Sequence, residues 1–234
     1  MTQKEWEKVG SKWKTTSSKV STVYPALKKV MGNIKGKKIL DVGCGDGYGV
    51  IWCREKGADC IGVDLSSDMI EACKKRDPEG KYSVEDAKNL KIKEKFDYVI
   101  SIMVFLSFDK KEEITKAVKS MASKLDKNGK LIIVCPHPAF DHINENMDAL
   151  VSKSEGEYSY SKKGLPIIYK HKTEGYTLRD FHWMIEDYVG CIKEAGLVIE
   201  DILEPLPLLE SEKENPKLYR ARVNFPQYIF FVCK

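Results

Sequence analysis

Glycines stand at 43, 45, 47 and 49, directly after the apolar run Lys38–Val42 and ahead of Val50, Ile51, Trp52 and Cys53. A strand that ends in glycines and feeds a helix is a general cradle for anions and nucleotides. Glycine lets the backbone approach the ligand, and free amides at the helix start donate to it. The spacing narrows the ligand. A dinucleotide fingerprint needs a third glycine where this chain has Tyr48, and the Gly-Lys-Ser/Thr of a phosphate-binding loop is missing. Asp41 sits two residues before Gly43. A carboxylate there suits a cationic ligand head, such as the amino group of a methionine moiety, and would repel pyrophosphate. Asp64, roughly 20 residues beyond the loop at a second apolar run, can accept hydrogen bonds from both hydroxyls of a ribose.

The elements that must hold these groups follow from hydrophobic period. Strand candidates at Lys38–Val42, Cys60–Leu65, Phe96–Ile102 and Leu131–Cys135 alternate with helical patterns. Ser66 and Ser67 can cap a helix carrying Met69, Ile70 and Cys73. Asp109 and Glu112 stand at capping-box spacing before Ile114, Ala117, Val118, Met121 and Leu125, and Asn128-Gly129 reads as the stop of that helix. This alternation predicts an α/β fold with a doubly wound, mostly parallel sheet. Pro136–Thr177 breaks the rhythm and reads as a long irregular insert, the usual form of a binding loop or lid. A helix through Met184, Ile185, Tyr188, Val189, Ile192 and Ala195, closed by Gly196, then precedes strands Leu197–Leu203 and Tyr228–Cys233. Before that helix, Thr177 and Asp180 offer a cap, and a strand reaching Trp183 is the competing reading.

Composition bounds the function. The 234 residues are 42% hydrophobic, enough for a core. No run approaches the roughly 20 apolar residues of a membrane span, and the N-terminus has no apolar signal-peptide core, so a cytoplasmic protein without membrane contact is expected. The formal charge is +4, with lysines scattered among acids; no nucleic-acid partner is expected. Seven cysteines without a C-x-x-C pair read as reduced core residues. His137 and His142 lack an evident third ligand, so no metal is expected.

Ile39–Gly49 (ILDVGCGDGYG) and Cys60–Ser66 (CIGVDLS) resemble the cofactor site of class I S-adenosylmethionine-dependent methyltransferases, in particular the small-molecule, UbiE-like type. The resemblance is strong from Tyr24 to Pro138 and favours S-adenosylmethionine, with S-adenosylhomocysteine as product, over NAD. It implies a seven-stranded Rossmann-like sheet and cofactor contacts from Asp41, Gly43, Cys44, Gly45, Gly47, Asp64 and Leu65. It also implies Met69 over the adenine, Asp86 accepting from the adenine amino group beside Ala87, and Ser101 and Met103 lining the cofactor channel. Asn128 stands where the family usually has a glycine, and the expected compensation is that Asn tolerates the left-handed conformation.

The resemblance implies that the helical segment 1–36 (Trp6, Trp13, Tyr24) closes over the cofactor; with the break in rhythm, the chain is expected to divide further into a core 37–135, a cap 136–183 and a closing unit 184–234. His182 is similar to a histidine that precedes the last helix in small-molecule members, although Trp183 stands where many have Arg. His182 and His137, the latter at the ligand-binding edge of the sheet, are the candidate catalytic bases. Phe105, Phe108, Phe140, Tyr158, Tyr160 and Trp183 are candidates to wall an acceptor pocket. The expected acceptor is a small molecule with an O, N or C nucleophile. The alternatives are an RNA or protein acceptor, or a cofactor-binding regulatory protein without turnover. Oligomeric state is not legible.

Overall fold

The computed structural model describes residues 14–147 and 150–234; Trp6 and Trp13 lie outside them. A π-helical turn, Lys19–Val23, runs into helix α1 (Tyr24–Met31). Then come β1 (Lys38–Val42), α2 (Tyr48–Arg54), β2 (Asp59–Asp64), α3 (Ser67–Arg76), β3 (Lys81–Val84) and β4 (Phe96–Ile102). A 3-10 turn (Phe105–Ser107) leads to α4 (Lys111–Ala122) and β5 (Leu125–Pro136). Strands β6 (Leu150–Ser154), β7 (Leu165–His171) and β8 (Thr177–His182) follow. Helix α5 (Ile185–Glu194), β9 (Ile199–Leu203), α6 (Glu210–Glu214), α7 (Pro216–Asn224) and β10 (Tyr228–Cys233) complete the chain.

Seven strands form one sheet in the order β3-β2-β1-β4-β5-β10-β9. The first five pair in parallel, and β10 runs antiparallel between β5 and β9. The fold is therefore the doubly wound α/β sheet that the alternation predicts. Each face is covered by its own apolar cluster. Ile114, Ala117, Tyr188 and Cys191 of α4 and α5 pack on one face; Leu27, Val50, Cys53 and Ile70 of α1, α2 and α3 pack on the other. All seven cysteines are buried and free, as thiols in apolar runs should be. Among the described residues, no helix is long and apolar enough to cross a membrane.

Several local expectations fail for physical reasons. Helix α4 ends at Ala122, and Asn128-Gly129 lies within β5 instead of stopping a helix. Asn128 is not left-handed, so the compensation proposed for it is not needed. Gly129 is required for space: a Cβ there would press on the Phe96 carbonyl oxygen. Helix α4 starts after Lys110 without a side-chain cap, so Asp109 and Glu112 form no capping box. Ser66 does cap α3, accepting from the Met69 amide at 3.3 Å. Helix α7 passed unread although its signal is present, with Asn215 accepting from the Leu218 amide and Pro216 in the first turn.

The stretch read as irregular holds a second sheet, the antiparallel meander β6-β7-β8. The alternation of β7 (Leu165, Ile167 and Tyr169 buried) went unread, while β8, whose buried positions are Leu178, Asp180 and His182, bears out the strand reading before Trp183 over the Thr177 and Asp180 cap.

Candidate active site

The carboxyl ends of the parallel strands open onto a cavity of about 580 Å³, within the range of small-molecule sites. Its floor is the glycine loop. Gly43 adopts φ +76, and a Cβ there would collide with Val104 beyond β4. Gly45 donates its amide to Asp64 Oδ2 at 2.9 Å, while Asp64 Oδ1 accepts from the Ser66 amide at 3.0 Å. The acid at the end of β2 thus braces the loop that follows β1. Burial raises its pKa, against the pull of those amides.

Asp41, at 3% exposure, lies beside Gly49 with no room for a methyl group between them. Burial pushes its carboxyl up to about 7, with the Asp64 charge adding to the effect. Lys19 is buried against the same wall; desolvation lowers its pKa, and Asp46 and Asp41 oppose that. The segment carrying Lys19 is fastened to the loop by Thr15, whose amide and hydroxyl donate to Asp46 at 2.9 and 2.8 Å. On the far wall, Met103 takes φ +63, a strained conformation for a residue with a side chain. Its amide donates to the Val134 carbonyl at 2.8 Å, which ties that wall to β5.

The cavity brings together Asp41, Gly43, Cys44, Gly45, Asp64, Leu65, Met69, Asp86, Ala87 and Met103. Gly47 and Ser101 do not line it: Gly47 precedes α2 as its N-cap, and Ser101 is fully buried in β4. The two histidines are also elsewhere. His137 pairs with Glu204 through Nε2 and accepts the Ala139 amide at Nδ1. His182 is 1% exposed, with Nδ1 at 2.6 Å from Asp141 Oδ2 and Nε2 at 2.8 Å from the Tyr160 carbonyl oxygen. Both nitrogens are engaged in each ring, and neither histidine faces the cavity.

The aromatic candidates divide in the same way. Phe108 lines the cavity; Phe105, Phe140, Tyr158, Tyr160 and Trp183 do not. Phe105 is core, Phe140 packs on Phe225, and Tyr158 stacks on His142 and shares its hydroxyl with Asp141 and the Pro138 carbonyl. Sequence reasoning missed Thr15, Lys19 and Asp46, and also Arg179 and Phe181, which reach the cavity from β8. The period-two rule supplied the signal for the last pair, since 179 and 181 alternate with the buried 178, 180 and 182.

Residues 40–133, which span β1 to β5 and the cavity floor, match the family described as "Methyltransferase domain". The chain is 30% identical over 139 residues to a ubiquinone biosynthesis O-methyltransferase of Pelagibacter ubique, covering 57% of this chain and 53% of that one. It is 29% identical over 100 residues to a dTDP-3-amino-3,4,6-trideoxy-alpha-D-glucopyranose N,N-dimethyltransferase of Streptomyces venezuelae, covering 42% of each. The chain spans about half, or less, of the length of the curated relatives it matches. In fold, the chain is similar to an S-adenosylmethionine-dependent methyltransferase of Mesorhizobium loti. That likeness has a TM-score of 0.70 at 20% identity and covers 90% of this chain and 96% of the other.

Proposed function

We propose that this chain transfers a methyl group from S-adenosylmethionine to a nucleophilic atom of a small molecule. The observation that carries the reading is the placement of Asp41 and Asp64 at the ends of adjacent parallel strands, on one cavity floor with the alternating glycines between them. The residues fit the cofactor. Asp41 suits its ammonium, the buried Lys19 its carboxylate, Asp64 its ribose hydroxyls, and Met69 with Asp86 and Ala87 its adenine. When bound, S-adenosylmethionine supplies an electrophilic methyl group.

The work left to the protein is to position the acceptor and exclude water. Phe108, Phe181, Met103 and Val104 supply apolar walls for that purpose. Among the described lining residues there is no imidazole, so the reading assigns no catalytic base to His182 or His137. An acceptor whose nucleophile is already deprotonated, or is a neutral amine, needs none. The relatives named above, an O- and an N-methyltransferase by description, support a small-molecule acceptor.

The test is calorimetric titration of S-adenosylmethionine, S-adenosylhomocysteine and NAD into the protein and its Asp64→Ala variant. Micromolar binding of the first two, weakened by the substitution, is expected. Binding of NAD alone would overturn the reading.

A further inference from the structure

The cavity lining carries charge of both signs. Asp41 lies near Lys19, and Asp64 is held by Gly45 and Ser66, while Asp109 and Glu113 also line the cavity, Glu113 being paired with Lys88. On the opposite side, β8 packs against the 3-10 turn after β4 and presents Arg179 and Phe181 to the cavity, with Phe108 also in the lining. The cations on that side differ in how firmly they are held. Lys88 bonds Glu113 at 2.8 Å, both side chains being about 30% exposed, and lies 4.0 Å from Asp86. Arg179 donates to Glu155 at 2.8 Å, with the two side chains 46% and 47% exposed. An ion pair this wet is weak and readily exchanged. The Arg179 guanidinium also lies 5.8 Å from the ring centroid of Phe181, so the charge and the aromatic face form one unit.

Resting on the methyltransferase reading, we propose that the acceptor carries a ring and an oxyanion, either a carboxylate or a phosphate ester. Its ring sits against Phe181 and Phe108, and its oxyanion takes the Arg179 fork in place of Glu155. The planar guanidinium pairs with either oxyanion through two parallel hydrogen bonds. Glu155 is then an internal competitor that holds Arg179 until the acceptor arrives. Arg179 is a specificity-determining residue, remote from the methyl group in role.

Four probes of one shape test this: benzoate, phenyl phosphate, benzylamine and benzyl alcohol, each titrated into the protein saturated with S-adenosylhomocysteine. Benzoate or phenyl phosphate is expected to bind best, and the tighter of the two identifies the oxyanion. Arg179→Gln should weaken that binding by roughly tenfold, and Arg179→Lys should restore only part of it. Glu155→Gln should tighten it by about threefold. The variants should keep S-adenosylhomocysteine affinity within about threefold of wild type, which shows them folded. The proposal is overturned if benzylamine or benzyl alcohol binds as well as the anions, if neither anion binds, or if Arg179→Gln and Glu155→Gln leave anion affinity unchanged. Failure of S-adenosylhomocysteine to bind the wild type would instead overturn the methyltransferase reading.

Discussion

The indole Nε1 of Trp183 donates to the carbonyl oxygen of Phe108 at 3.0 Å. One residue closes the second sheet at the end of β8; the other lines the cavity just beyond the 3-10 turn. The bond therefore fixes the distance between the strand that carries Arg179 and Phe181 and the wall that faces it.

Trp183→Phe keeps an aromatic ring but leaves the Phe108 carbonyl without this donor. The expected loss of stability is about 1–2 kcal/mol, measured by thermal unfolding. Benzoate affinity should fall, and S-adenosylhomocysteine affinity should hold. Equal losses in both affinities would mean that the bond supports the whole cavity and not this wall alone.

Gly49→Ala places a methyl group onto the Asp41 carboxylate. Asp41 must then move, and S-adenosylmethionine affinity should drop by roughly tenfold or more. Gly190→Ala is the contrasting change: the nearest atom to its Cβ is Lys111 Nζ, at 3.5 Å on a flexible side chain, and the site is inside α5. It should stabilise by about 0.4–1 kcal/mol and leave affinity alone. Calorimetry and thermal unfolding on both variants check the pair.

With a pKa near 7, Asp41 is neutral in the acidic range and charged above it. Only the charged form pairs with an ammonium group. S-adenosylhomocysteine affinity should therefore rise as pH increases from 6 to 8, whereas Asp41→Asn should bind weakly with a flatter profile. A wild-type affinity that falls over this range would contradict the assignment of Asp41 to the amino group.

The glycine loop and its acids were legible because chemistry and period coincide there: alternating glycines, Asp41 and Asp64 are consecutive features of two apolar strands. The second sheet was legible only in part: β7 alternates with apolar Leu165, Ile167 and Tyr169, whereas Asp180 and His182 fill inward positions of β8 where alternation predicts apolar residues. His182 was placed in the right segment and assigned the wrong direction. It shares the buried face with Asp180, while its neighbour Phe181 lines the cavity. Lys19 gave no signal at all, since a lysine in a polar stretch reads as solvated, and long-range bonds from Thr15 to Asp46 and between Ser18 and Tyr228 hold its segment inward.

The buried polar residues of β8 set a pH dependence. Both His182 nitrogens face oxygens, of Asp141 and of the Tyr160 carbonyl, an arrangement that favours the doubly protonated ring. Burial opposes its charge, but Asp141 and the Tyr160 carbonyl outweigh that and raise its pKa. Its contribution is complete below the unfolded value and is lost as pH rises through the raised one. Asp180 is pushed up to about 8 by burial, with Asp141 adding to it, so its neutral form is the one the fold favours. That stability is lost between the ordinary carboxylate range and about pH 8. Asp180→Asn, which stays neutral, should gain in melting temperature relative to wild type as pH rises across that window. His182→Asn should lose most at pH 6 and progressively less at higher pH. Thermal unfolding at intervals from pH 5 to 9 separates the two.

The alternation of β8 also separates two kinds of evolvability. Positions 178, 180 and 182 answer to the interior, and exchange there is judged by whether the sheet survives. Positions 179 and 181 line the cavity, where Arg179 is tied to the fold by an exposed ion pair with Glu155 and Phe181 by partial packing on the core, so a new side chain there changes recognition at a smaller cost to the fold. A library randomised at the outward pair should remain largely folded while diversifying in ligand preference. The same effort spent one residue over would yield mostly collapsed or aggregated chains. A single strand thus holds the fold on one side and shapes recognition on the other.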